Sequence, residues 1–135
     1  MRLAPIPLFF FPDLEAIDAY AAKSSRTTHG AQECVDACRL LGRIIGRAVL
    51  GHTKEDVAYG DGESFSGAES IVAIARGAYE TKSEDAVRGT GYVVESLEAA
   101  LWCFMKTDSF EAAILKASNP RDDADATAAV CGRWR

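Results

Sequence analysis

The chain has 135 residues, the length of one ordinary domain, and its 48% apolar content is enough for a real core. Its formal net charge is -5, its pI is near 5.0 and no basic block occurs, which argues against nucleic acid and anionic membrane surfaces as partners.

The chain opens on an apolar stretch, Met1 to Pro12, broken by Pro5, Pro7 and Pro12. Its uninterrupted apolar run is only residues 8–11 and no small-residue cleavage site follows, so it reads as neither a signal peptide nor a membrane span. So apolar a start is expected to pack against something. Asp13 can cap a helix carrying Leu14, Ile17 and Ala21 on one face. Residues 24–30 form a polar break able to cap the next helix.

That next helix, residues 31–50, has the clearest periodicity. Cys34, Ala37, Cys38, Leu41, Ile44, Ile45, Ala48 and Val49 form its inner stripe. Gln32, Asp36, Arg39, Arg43 and Arg47 form its outer stripe, and the row of three arginines reads as a solvated helix face. Gly42 and Gly46 cost helix propensity, and their spacing predicts a groove for close approach of another helix. Gly51 is placed to end the helix as a C-cap. Cys34 and Cys38, one helical turn apart in an apolar pattern, behave as small core hydrophobes. No Cys-x-x-Cys pair occurs and His29 and His52 lack finger spacing, so zinc is not expected. Reduced, buried thiols point to the cytoplasm.

Gly60-Asp61-Gly62-Glu63 is a turn rather than a phosphate loop, because no Gly-Lys-Ser/Thr follows. A helix over residues 67–79 is expected to bury Ala68, Ile71, Val72, Ala75 and Tyr79. Residues 81–91 are polar and glycine-bearing, a surface loop. Residues 93–105 form a helix, apolar on every side from Ala99 onward, which makes it central to its bundle. Asp108-Ser109-Phe110-Glu111 reads as a capping box for a helix through Ala117, stopped by Asn119-Pro120. Strand signals are weak, Tyr92-Val93-Val94 being the one short candidate. No internal repeat occurs, and the fold class is all-α.

Near the C-terminus lies Asn119-Pro120-Arg121-Asp122-Asp123-Ala124-Asp125-Ala126-Thr127-Ala128-Ala129, with three carboxylates within four residues. Asp123 and Asp125 alternate, so a loop can aim both at one point, an arrangement suited to Mg2+, Mn2+ or Ca2+. Proline, aspartates and an alanine-rich run also make an ordinary helix start, with aspartates accepting from free backbone N–H groups. Spacing alone favours the cap.

Two stretches together add to this. Gly89-Thr90-Gly91-Tyr92-Val93-Val94-Glu95-Ser96-Leu97-Glu98-Ala99-Ala100-Leu101-Trp102, followed by Asp122-Asp123-Ala124-Asp125-Ala126-Thr127-Ala128-Ala129-Val130-Cys131-Gly132, resembles the C-terminal half of the ADP-ribosylglycohydrolase family, which includes the dinitrogenase-reductase-activating enzymes. Ser25-Arg26-Thr27-Thr28-His29-Gly30 resembles the family's Thr-His motif, and Met1-Arg2-Leu3-Ala4-Pro5 the end of its Gly-Asn-Gly-x-x-Met-Arg motif. The likeness covers nearly the whole of residues 1–135 as a single, partial domain and keeps the motifs in order.

The resemblance implies an orthogonal all-α bundle that holds two divalent cations, Mg2+ or Mn2+, at the bottom of an ADP-ribose cleft. The implied reaction is hydrolysis of the glycosidic bond between ADP-ribose and a protein side chain, often arginine. Asp123 and Asp125 match the aspartates of the family's Asp-x-Asp-Thr metal motif, while Ala126 stands where the family has its threonine ligand. His29 matches the histidine that borders the cleft, beside a plainer reading as a helix-start histidine bonded to its loop. Gly91 and Tyr92 match a segment flanking the ligand; the plainer role for Tyr92 is an aromatic at the core's edge.

The family's Thr/Ser-Asp-Asp metal motif has no counterpart in the sequence, and Met1 falls on an internal methionine of the family pattern. The expectation is therefore a truncated remnant or the second half of a split enzyme, inactive or weakly active alone, with or without its metal. The alternatives are a non-catalytic ADP-ribose or nucleotide-binding module and a self-associating structural fragment. Residues 8–11 and the apolar helix at residues 99–105 are where an apolar surface is expected, covered in a homodimer or by a complementing N-terminal half.

Overall fold

Helix α3 (Gln32–Leu50) is the element on which most of the others pack. The structure, a computed structural model, describes Leu3, residues 5–87 and residues 92–117. Before α3 come α1 (Pro5–Phe10) and α2 (Leu14–Thr28); after it come α4 (Lys54–Tyr59), α5 (Glu69–Ala75), α6 (Val93–Met105) and α7 (Phe110–Ala117). Among the described residues there is no strand, so the all-α expectation holds, and Val93 and Val94 belong to a helix. No described helix is long and apolar enough to cross a membrane.

The prolines start α1 rather than break it. Pro5 and Pro7 lie in the first turn, where a backbone N–H has no intrahelical acceptor to lose. Asp13 caps α2 as expected, its carboxylate accepting from the Ala16 N–H at 3.0 Å. Of the expected polar break at residues 24–30, residues 24–28 instead end α2, and the chain leaves the helix at His29. The Thr27 hydroxyl donates to the Ser24 carbonyl at 2.7 Å and the Ser25 hydroxyl to the His29 carbonyl at 3.0 Å. Local bonds of this kind let hydroxyl side chains stay in a helix.

The glycine groove on α3 is present and α2 fills it. A Cβ on Gly42 would lie 3.1 Å from Ile17 Cγ2, and one on Gly46 would lie 3.0 Å from both Ile17 Cδ1 and Leu14 Cδ2. Ile17 and Leu41 are fully buried, each worth roughly 1.5–3 kcal/mol of transfer free energy. Gly51 closes α3 in the left-handed region, at φ 83°, donating to the carbonyls of Ala48 and Arg47. Cys38 and Cys103 are buried and Cys34 half-buried, all as free thiols. Burial pushes the Cys103 thiol up to about 11, so it acts as a small hydrophobe.

The helix expected over residues 67–79 is split. Gly77 takes φ 82°, and a Cβ there would meet the Tyr59 ring 2.8 Å away. The chain re-enters as a 3-10 turn, Ala78–Thr81, which buries Tyr79 against the core. A second short 3-10 turn, Glu84–Ala86, lies in the expected loop. Helix α6 is buried from Ala99 to Cys103, and the Trp102 indole donates to the Lys82 carbonyl at 3.1 Å. The Lys54 ammonium donates to the carbonyls of Met105 and Thr107, joining α4 to the C-terminal end of α6, where a cation suits the helix dipole. Ser109, not Asp108, accepts from the Ala112 N–H to cap α7.

The apolar surface expected on α6 is therefore not there, because α3, α4, α5 and α7 pack around that helix. It is found on α1. Leu8 is 61% exposed and Phe9 80%, while Phe10 stacks on Tyr20 with ring centroids 4.1 Å apart.

Candidate functional site

Two polar constellations stand out against this core. The larger lies along α3, where Arg39, Arg43 and Arg47 follow one another at one-turn intervals. The arginines are half-buried, not solvated. Arg39 Nε and Arg43 Nε reach the two oxygens of Asp18 on α2 at 2.9 and 2.7 Å. Arg39 also donates to Asp36 at 2.9 Å and to the Ser66 carbonyl at 3.1 Å. Its guanidinium lies 5.1 Å from the centroid of the Phe65 ring. Arg43 and Arg47 converge on Asp61, which Arg47 holds through both terminal nitrogens.

The reading of this row as a solvated face is thus corrected. Asp36 is fully buried and Asp61 is 2% exposed. Burial pushes the Asp36 carboxyl up, but hydrogen bonds from Gln32, the Ala68 N–H and Arg39 outweigh it and hold the group below its ordinary value. Three guanidinium groups thus meet three carboxylates, and a buried charge is tolerated only when matched in this way. The one-turn spacing of three arginines beside Asp36 is the signal the sequence offers for this network. Asp18 and Asp61, distant in sequence, offer none.

The smaller constellation sits where α3 begins. Glu33 lies in the first turn of α3, four residues beyond His29. Its Oε1 accepts from the Ser70 hydroxyl of α5 at 2.9 Å, and its Oε2 accepts from the phenol of Tyr92. Tyr92 occupies the N-cap position of α6, so this one carboxylate ties three helices together. The bond to Glu33 raises the Tyr92 phenol above its ordinary value, because the carboxylate stabilises the protonated form. Sequence reasoning misses Glu33 and Ser70, neither of which belongs to a motif.

His29 is exposed at the end of α2, not at a helix start. Its backbone N–H donates to the Ser25 carbonyl at 2.7 Å, and its Nδ1 lies 3.1 Å from the Thr28 hydroxyl. Tyr92 is 49% exposed, at the surface instead of the core's edge. The structure therefore sets Tyr92 against the start of α3, just beyond His29. Gly91, Asp123 and Asp125 lie outside the described residues, as do the rest of the aspartate stretch and Cys131.

Among the described residues, no group of three or more His, Cys, Asp or Glu side chains is arranged to hold a metal ion. The buried carboxylates that could have served, Asp36 and Asp61, are taken up by arginines. The described residues alone do not fit a divalent cation.

Comparison with known proteins agrees with the family resemblance. A family model described as ADP-ribosylglycohydrolase matches residues 1–134. The chain is 39% identical over 133 residues to an ADP-ribosylarginine hydrolase Tri1 of Pseudomonas putida (strain GB-1), covering 98% of this chain and 35% of that protein. It is 35% identical over 138 residues to an ADP-ribosylarginine hydrolase Tri1 of Serratia proteamaculans (strain 568), covering 98% of this chain and 36% of that protein. An uncharacterized protein of Archaeoglobus fulgidus is 29% identical over 139 residues, covering 98% of this chain and 46% of its own length. The chain thus spans little more than a third of the length of the two Tri1 proteins.

Proposed function

The chain belongs to the ADP-ribosylglycohydrolase family, and from that premise we propose that it serves the hydrolysis of the bond between ADP-ribose and an arginine side chain. The observation that carries this reading is the 39% identity, along 98% of the chain, to a protein named for that activity. In the reaction, water adds its oxygen to C1 of the ribose, the C1–N bond breaks, and the guanidine leaves with the proton. Positive charge develops at the ribose as that bond lengthens, and fixed carboxylates nearby stabilise it. His29 and Tyr92, with Gly91, border the ADP-ribose ligand. Mg2+ or Mn2+ at Asp123 and Asp125 would supply a Lewis acid that polarises the water.

The chain by itself turns over weakly or not at all. Ala126 stands where the family motif has a metal-binding hydroxyl. Binding of ADP-ribose without turnover is the second reading, favoured by that same replacement. Its setting is the cytoplasm, which suits the three free thiols among the described residues. Its partner is a second copy of itself.

Calorimetric titration with ADP-ribose, with and without Mg2+, tests binding, and release of ADP-ribose from an ADP-ribosylated arginine peptide tests turnover. Binding with release supports the enzyme, and binding alone supports the module. No binding under either condition refutes both.

A further inference from the structure

We propose that Glu33 is the residue that recognises the arginine side chain of the substrate, its carboxylate receiving the guanidinium that departs from ADP-ribose. The inference rests on the proposed activity, which puts an ADP-ribosylated arginine beside His29 and Tyr92. It assigns the acceptor end of that substrate to one side chain.

Glu33 differs from the three carboxylates of the arginine network. Asp18, Asp36 and Asp61 each face at least one arginine within 3.2 Å. Glu33 is held differently. Its hydrogen-bond partners among the described residues are two neutral hydroxyls, those of Ser70 and Tyr92. They orient the carboxylate without neutralising it, so its negative charge is available to a cation from outside.

Geometry supports the same use. An ionised carboxylate offers about four lone-pair sites, and the two hydroxyls occupy one on each oxygen. A planar guanidinium presents paired N–H groups that match both oxygens at once, which an ammonium cannot do. Glu33 is half-buried while Tyr92 beside it is 49% exposed, so the pair lies at the surface and not within the core. Anchorage to α5 and to the start of α6 removes the rotamer freedom that a lone surface glutamate would lose on binding. Tyr92 acts here as a positioning residue for Glu33 as well as a border of the ligand.

The test compares two ligands on the same protein, ADP-ribose and a carbocyclic ADP-ribose–agmatine conjugate. The conjugate carries the guanidinium and cannot form the oxocarbenium-like state, so it is not hydrolysed. Titration of the full chain in the presence of Mg2+ is expected to show the conjugate binding about tenfold more tightly than ADP-ribose. Glu33→Gln is expected to abolish that preference, whatever its effect on the affinity for ADP-ribose itself. Ser70→Ala, which frees one side of the carboxylate, is expected to reduce the preference without abolishing it. A ratio of two affinities on one variant does not move with a general loss of stability, which separates recognition from a merely structural role. If Glu33→Gln keeps the preference, or if the wild type has none while binding ADP-ribose, the proposal is overturned and the proposed activity survives. If the wild type binds neither ligand, the proposed activity falls first and the role of Glu33 with it.

Discussion

Arg47 grips the buried carboxylate of Asp61 through both terminal nitrogens of its guanidinium, fastening the C-terminal half of α3 to the turn after α4. Gly60 makes room for this contact, since a Cβ there would lie 2.8 Å from the Arg47 guanidinium carbon. Asp61 is 2% exposed and also accepts from Arg43 at 3.2 Å. Its replacement therefore takes from Arg47 its one carboxylate partner among the described residues and leaves Arg43 with Asp18 alone. Asp61→Ala is expected to destabilise the chain by about 3–5 kcal/mol, read as a shift in the urea midpoint at unchanged slope. A loss under about 0.5 kcal/mol would mean the pair behaves like a solvated surface bridge.

Asp36 predicts an acid response of definite sign. Its folded-state pKa lies below the ordinary 3.8, because the bonds from Gln32, Ala68 and Arg39 outweigh its burial. The unfolded chain therefore takes up this proton first as the pH falls. The stabilisation is complete above the ordinary value and is lost as the pH drops through the lower, folded-state value. Urea midpoints of wild type and Asp36→Asn are expected to differ at neutral pH and to converge below about pH 3.8. A gap that stays constant down to acid would assign the role of Asp36 to hydrogen-bond geometry rather than charge.

The exposed apolar side chains of α1, with Phe11 after it and Tyr20 of α2, predict self-association. Leu8, Phe9, Phe11 and Tyr20 are 61%, 80%, 42% and 43% exposed, a concentration of large apolar side chains that monomers rarely leave open. A two-fold pairing of this face is the simplest cover. Sedimentation at low micromolar concentration is expected to show a dimer, and Phe9→Ser to shift it to monomer with little change in melting temperature. A monomeric wild type at that concentration counts against the pairing.

The helices are legible wherever a local rule decides them. Asp13 caps α2, Gly51 ends α3 and Gly42 with Gly46 admits a neighbouring helix, each as its residue type requires. The prolines of α1 look like breakers in the sequence because their effect depends on position within the turn. Gly77 gives no warning of the break it makes, because its left-handed φ is required only once Tyr59 occupies the space beside it.

Motif order carries the family, since a motif is a local pattern that survives being read in one dimension. The sites are less legible. His29 and Tyr92 can be named from sequence, but nothing linear joins Tyr92 to Glu33, 59 residues away. The arginine row of α3 is visible as spacing yet looks solvated, because its carboxylates come from α2 and from the turn after α4. Periodicity thus determined which residues lie on a helix and which stripe is apolar. Only packing decided which charges are matched, because a charge is satisfied by what lies within a few ångströms of it, whatever the distance along the chain.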